Sequence, residues 1–158
     1  MYPYEITRKA LSSFPITYTD LAFKSIQDIE TCEALICCTP TWNTGSDVKR
    51  SGTTWDDYVE QIPTLNCSGK PVAIVGLGDS AAFSKFFCDA MEELYTAFKK
   101  AGGNLIGQVS GDDYIFDDSK SMIDGMFCGL PIDEDNESEK TQDRLEAWCQ
   151  TILNETNA

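Results

Sequence analysis

The chain has 158 residues, 42 % of them apolar, and a formal charge of −14, which suits a single globular domain with a core of its own. It holds seven cysteines and no histidine. Serine–histidine and cysteine–histidine nucleophile pairs are therefore excluded, and a zinc site would need cysteines and carboxylates at spacings this chain lacks. No apolar run approaches the roughly twenty residues that span a bilayer, and the opening MYPYEITRKALSSF has no continuous apolar stretch of the signal-peptide kind, so the chain reads as neither membrane-spanning nor secreted.

In chain order, Met1 to Phe14 reads as the tail of a helix, with Ile6, Ala10 and Leu11 on one face. Pro15 to Leu21, PITYTDL, alternates weakly and is predicted as an edge strand. Ser25 to Cys32 reads as a connection. Ala34 to Cys38 is an apolar run and a buried strand; Cys37 and Cys38 within it behave as small hydrophobes, which favours a reducing compartment over a disulfide framework.

That strand runs into Thr39 to Gly45, TPTWNTG, too rich in Pro, Thr and Asn to extend it. Loops just past the carboxyl ends of strands are where open α/β sheets bind ligands. Trp42 can offer a flat apolar face to a planar ring, with the small residues around it bonding the ring's edge. It can equally cover the end of the sheet and pack inward, and the loop alone leaves both readings open. After DVKRSG, Thr53 is predicted to cap a helix with Asp56 completing the box, and Trp55, Tyr58, Val59 and Ile62 form its inward stripe before Pro63.

Lys70 to Val75 is predicted as a second buried strand, and it too enters a glycine-bearing loop, Gly76 to Phe83, GLGDSAAF. Phe87, Met91, Leu94 and Phe98 mark the following helix, closed by Lys99, Lys100 and Gly102-Gly103. Leu105 to Val109 is predicted as a third strand, and the alternation argues a parallel sheet with helices on both faces. The excursion Gly111 to Gly125 is expected to loop out, with Met126 to Leu130 rejoining the sheet or pairing locally. Thr141 is predicted to cap the last helix, with Leu145, Trp148, Cys149 and Ile152 facing inward. From Gly111 onward there are thirteen Asp and Glu against three Lys and Arg. Such a field repels nucleic acid and anionic lipid, steers toward a basic partner at low salt, and also keeps a protein soluble.

With both loops in view, Ala34 to Ile152 resembles the flavodoxins, specifically the long-chain type with a split last strand. PTWNTG resembles the first flavin loop, GLGD followed by an aromatic resembles the second, and DDYIFDDSKS…DGMFCGLPIDEDNESEKTQDRLEAW resembles the insertion, here 111–132, and the final helix. DVKRSGTTWDDY resembles algal members most. The resemblance implies a single doubly wound, three-layer α/β/α domain over 1–158, with FMN at the carboxyl ends of the strands. Trp42 and Phe83 would then stack on the two faces of the isoalloxazine. Pro40, Thr41, Asn43, Thr44 and Gly45, with Leu77, Gly78 and Asp79, would line its edge, and Phe87 and Cys88 would lie at its rim. The protein would be an electron carrier and not an enzyme, docking by its acidic surface on basic faces of partners such as photosystem I or a ferredoxin/flavodoxin-NADP reductase, in a plastid stroma if algal and otherwise in the cytoplasm.

The sequence departs from that pattern in four places. Phe83 stands where Tyr is usual, Ala82 replaces a usual Gly, and Lys85-Phe86 replaces an acidic-Asn pair. The fourth is the family's first, central strand and its Thr/Ser-x-Thr-Gly-x-Thr phosphate loop, which have no counterpart; residues 1–14 resemble only the later part of the helix that follows them. The expectation is an incomplete gene model or fragment, or a gap filled by a partner's strand or a rearranged amino terminus. The alternative function is a flavodoxin-derived interaction or structural subunit that keeps the fold and the acidic face but binds no FMN. A small hydrolase using Ser or Asp would lack a base.

Overall fold

The computed structural model describes residues 3–13 and 15–157. In chain order it contains α1 (Pro3–Ala10), β1 (Leu35–Pro40), the single turn α2 (Trp55–Tyr58), β2 (Pro71–Leu77), α3 (Ala90–Lys100), β3 (Asn104–Leu105), β4 (Val109–Ser110), β5 (Met122–Ile123), β6 (Met126–Phe127), β7 (Leu130–Ile132) and α4 (Thr141–Thr156). The central strand of the main sheet is β2. It pairs in parallel with β1 on one side, and on the other with β3 along its first half and β7 along its second. Among the described residues β1 pairs with β2 alone.

Burial follows the two-residue period of a strand. Val72 and Ile74 of β2 and Cys37 of β1 face a layer made by Ile62, Met91, Leu94, Ala97 and Phe98, while Ala73 and Val75 face Leu145, Trp148, Cys149 and Ile152 of α4 and Leu11 beyond α1. Both faces of the sheet are covered, so the three-layer α/β/α architecture stands. The stripe read in the last helix is its buried face, each of the four residues being at most 7 % exposed.

The structure differs from the sequence reading at several points. β1 and β2 each run two residues into the stretches read as loops, to Pro40 and Leu77, and Phe87 precedes α3 instead of opening its stripe. Residues 15–20 form no strand and lead into a 3-10 turn at Leu21–Phe23; alternation alone does not make a strand without a neighbour to pair with. The helix after Thr53 is one turn, and Asp56 does not complete a capping box: its carboxylate accepts from Ser51 N and Gly52 N and serves the preceding loop. The expected strand Leu105 to Val109 is broken at Gly107, whose φ of 82° is open to glycine. The indole of Trp148 donates to Gly107 O at 2.8 Å and fills the space a Cβ would need, 2.7 Å from its position. Beyond that bend, β4 joins a small antiparallel sheet in the order β4-β6-β5. Residues 126–127 thus pair locally, and it is β7 that rejoins the main sheet. Finally, Thr141 opens α4 without capping it: its hydroxyl donates to the Glu134 carboxylate. The expectation for Met1 to Phe14 is met by α1 over Pro3–Ala10; Met1, Tyr2 and Phe14 and the side chains of Ile6 and Ala10 lie outside the described residues.

All seven cysteines are free thiols, and Cys32 alone is exposed. Burial pushes the thiol of Cys149 up to about 11 and that of Cys128 up to about 12, and raises those of Cys37, Cys38, Cys67 and Cys88. Since the thiolate is the reactive form, the folded protein at pH 8 is expected to give one fast thiol to a disulfide reagent and the rest only on unfolding. A second fast thiol that a Cys32→Ser variant retains would contradict this placement.

Candidate functional site

Three strand ends meet at one edge of the sheet. Pro40 of β1 stands opposite Leu77 of β2, Leu77 stands opposite Ile132 of β7, and Gly78 N donates to Ile132 O at 3.1 Å. The loops that follow β1 and β2 therefore leave the sheet side by side, and the residue that follows β7, Asp133, is placed to hold the second of them.

The first loop folds back on itself. Trp42 N donates to Ser51 O (3.2 Å), Asn43 N to Arg50 O (3.0 Å) and Ser46 N to Asn43 O (3.2 Å). Gly45 takes the turn at φ 82°. The Asn43 amide donates to Lys49 O at 2.7 Å, and the Thr44 hydroxyl to Thr41 O at 3.1 Å. Pro40 is buried, Thr41 and Thr44 are half-buried, and Asn43 and Gly45 are exposed. Trp42 is 57 % exposed as a residue, so the inward-packing alternative is not what this chain adopts. Inward packing belongs to Trp55, which meets Phe98 edge-on at 6.4 Å and donates to Cys38 O at 2.9 Å.

The second loop is tied down by carboxylates. The Asp79 carboxylate accepts from Ala82 N (2.8 Å), Ala81 N (3.0 Å) and the Asn136 amide (2.8 Å), which together hold its carboxyl below the usual range, the Ala82 bond counting most. Asp133, 1 % exposed, accepts from Ser80 N and the Ser80 hydroxyl, and from Asn136. Phe83 closes the loop through its N–H to Asp79 O (3.0 Å) and leaves its ring 49 % exposed. Leu77, Gly78 and Asp79 are half-buried. Gly78 is required for close approach, since a Cβ there would sit 2.8 Å from Cys88 N and 2.9 Å from Cys88 Sγ.

Phe87 and Cys88 are both fully buried. Phe87 stands in an aromatic cluster with Tyr114, Phe116 and Phe127, at 5.7 to 6.1 Å between centroids, so a part for these two residues at a ring's rim would run through backbone. The excursion after Gly111 braces this segment: the Ser119 hydroxyl donates to Phe87 O (2.6 Å), the Ser121 hydroxyl to Cys88 O (2.7 Å), and Asp117 N to Ser84 O (2.9 Å). Lys85 is exposed, and the Phe86 ring lies 3.7 Å from where a Cβ of Gly45 would be, bridging the two loops.

Sequence reasoning does not single out Asp133, Ser119, Ser121 or Arg50. Asp133 carries a usable signal, as the first polar residue past an apolar strand. The others act at a distance in sequence and carry none.

Two exposed aromatic residues thus stand on loops at the carboxyl ends of β1 and β2, and comparison with known proteins gives the family. The sequence profile described as Flavodoxin matches residues 6–148. The chain belongs to the flavodoxin family. It is 38 % identical over 135 residues to a flavodoxin of Buchnera aphidicola, covering 85 % of this chain and 77 % of that protein. It is 32 % identical over 151 residues to one of Nostoc sp., covering 96 % and 86 %. A crystal structure of Fusobacterium nucleatum flavodoxin bound to flavin mononucleotide superposes with a TM-score of 0.86 at 28 % identity, covering 96 % of this chain and 88 % of that one. Flavodoxins are electron-transfer proteins, not enzymes. Among the described residues no helix is long and apolar enough to cross a membrane, and no cluster of three metal-ligating side chains occurs.

Proposed function

We propose that this flavodoxin carries single electrons on FMN, with the isoalloxazine between Trp42 and Phe83. The observation that carries the reading is the exposure of those two rings, at 57 % and 49 %, on loops from adjacent strand ends, while Phe87, Phe98 and Phe127 are fully buried. Large aromatics left in solvent at the carboxyl ends of adjacent strands are what a planar cofactor would cover. Thr41, Asn43, Thr44 and Gly45 of the first loop and Leu77, Gly78 and Asp79 of the second would line the ring's edge, with Pro40, Phe87 and Cys88 at its rim. The bonds of Asn43, Thr44 and Asp79 within their loops, and of Gly78 to Ile132, hold that lining in shape.

FMN supplies reversible uptake of one electron and then a second. What the chain supplies is stacking, exclusion of water and an unfavourable setting for negative charge. Asp79, whose carboxyl lies below the usual range, and the carboxylates that follow Gly111 would oppose the negative charge that accompanies full reduction of a bound flavin, which would lower the second potential more than the first.

The excursion within 111–132 supports assignment to the long-chain type, and the acidic final third supports docking on basic faces of redox partners, a photosystem or an NADP-linked reductase among them. The resemblance of DVKRSGTTWDDY to algal members supports a plastid stroma, and the six shielded thiols support a reducing compartment in any case. Desalting the protein after incubation with FMN is expected to leave it yellow, with two resolved one-electron steps on reduction. The second reading, an interaction subunit without FMN, draws on the Phe86 ring lying between the loops; a protein that stays colourless and does not quench FMN fluorescence would favour it and end the first.

A further inference from the structure

We propose that Arg50 is a positioning residue for Trp42, a buried peg that fixes the first loop to the start of α3; the proposal rests on the reading of Trp42 as a plate for FMN. The Trp42 ring is mostly in solvent, so side-chain packing does little to orient it, and its attitude must come from the loop's backbone. That loop is tied to the start of α3 at three points, Ala90 N donating to the Thr41 hydroxyl at 3.2 Å and Lys49 N to the Glu93 carboxylate at 2.9 Å, but only Arg50 joins it there by both backbone and side chain. Arg50 O accepts from Asn43 N at 3.0 Å, next to the Trp42 N to Ser51 O bond, and Arg50 N donates to the Glu93 carboxylate at 2.7 Å.

The Arg50 side chain, in a residue 7 % exposed, completes the join. Nη1 donates to Asp89 O (2.8 Å) and to the Glu92 carboxylate (2.9 Å), Nε and Nη2 donate to Asp47 O (3.2 and 3.1 Å), and Nε lies 3.4 Å from Glu93. Four acceptors on two segments, spread around a plane, match a guanidinium and no other side chain. An ammonium could keep the charge but could not reach both Asp47 O and Asp89 O. Removing the charge would leave the Glu93 carboxylate, with 13 % of its side chain exposed, short of its counter-ion.

The test uses the full chain with R50Q and R50K, and K70M as a stability control. Lys70 is 9 % exposed and its Nζ donates to Ile29 O near the opposite end of the sheet, where β2 begins. Three quantities are read: the FMN Kd by fluorescence titration, the amide exchange of Trp42 and Asn43 in the FMN-free protein, and the urea midpoint. R50Q is expected to raise the Kd about tenfold or more and to speed exchange at Trp42 and Asn43 by about the same factor, with amides of Val72 to Val75 unchanged. R50K is expected to fall between R50Q and the parent, and K70M to lower the urea midpoint while leaving the Kd alone. Unchanged Trp42 and Asn43 exchange in R50Q, or a Kd that moves equally in K70M, would overturn the proposal; if R50Q does not fold, R50K decides by the same readouts. If Trp42→Ala leaves the Kd unchanged, it is the flavin reading that fails, and the exchange data still report on the peg.

Discussion

Gly129→Ala is expected to cost the protein most or all of its stability. Gly129 immediately precedes β7 and crosses β2 so closely that a Cβ would lie 2.3 Å from Ile74 O and 3.0 Å from Ile74 C. Neither chain can yield cheaply. Ile74 is fully buried in the strand that pairs with β1, β3 and β7, and the partner of Gly129 is backbone, not the end of a flexible side chain. Relief requires β7 to lift off β2, which opens the pairs Val75–Leu130, Gly76–Pro131 and Leu77–Ile132 and unseats Leu130 and Ile132 from the core between the sheet and α4. A loss above about 4 kcal/mol belongs to such backbone collisions, against a total near 5–15 kcal/mol. Gly125→Ala is the matched control. Gly125 has φ 83°, but a Cβ there would meet no heavy atom within 4 Å, so its cost is the left-handed backbone alone, about 1–2 kcal/mol. Urea unfolding of the two variants checks the pair; equal midpoints would mean that β7 does not cross β2 as described.

Trp42→Ala is expected to weaken FMN binding by about 1–3 kcal/mol, the scale on which a stacked ring is lost to alanine, or about fivefold to 150-fold in Kd. Its effect on folding is expected to be small, because the ring is more than half exposed and buries little on its own. That combination separates a ligand plate from a core tryptophan. Trp148→Ala should behave in the opposite way: Trp148 is 2 % exposed and its indole N–H is bonded to Gly107 O, so its loss should cost about 3–5 kcal/mol of stability. Fluorescence titration with FMN and urea unfolding on the same two proteins give all four numbers. A large stability loss in Trp42→Ala with no change in Kd would reverse the assignment.

The division of labour among the aromatic residues also shows what was readable in advance. The apolar runs Ala34 to Cys38 and Lys70 to Val75 declare buried strands because both of their faces are covered, though each strand runs two residues further, to Pro40 and Leu77, than composition suggests; the helical stripe of α4 declares its inward side. The two loops were legible as site-like from composition and position alone. The bend at Gly107 was not, because it depends on an indole forty-one residues further along the chain reaching the same carbonyl. Asp56 fitted a capping pattern, and in the structure its carboxylate is spent on the loop's N–H groups, a choice that spacing cannot reveal. PITYTDL alternates like a strand but has no strand beside it among the described residues. Arg50 illustrates the same limit at the site: its neighbours Asp89, just before α3, and Glu92 and Glu93, in its first turn, lie about forty positions away, and only folding brings them to the first loop.

The central claim is that FMN lies between Trp42 and Phe83, and proton–proton contacts measured by NMR on the FMN complex test it most directly. The expected result is a set of contacts from the isoalloxazine ring protons to both the Trp42 indole and the Phe83 ring, lost on the tryptophan side in Trp42→Ala. Contacts to neither ring in a complex that does form would contradict the account.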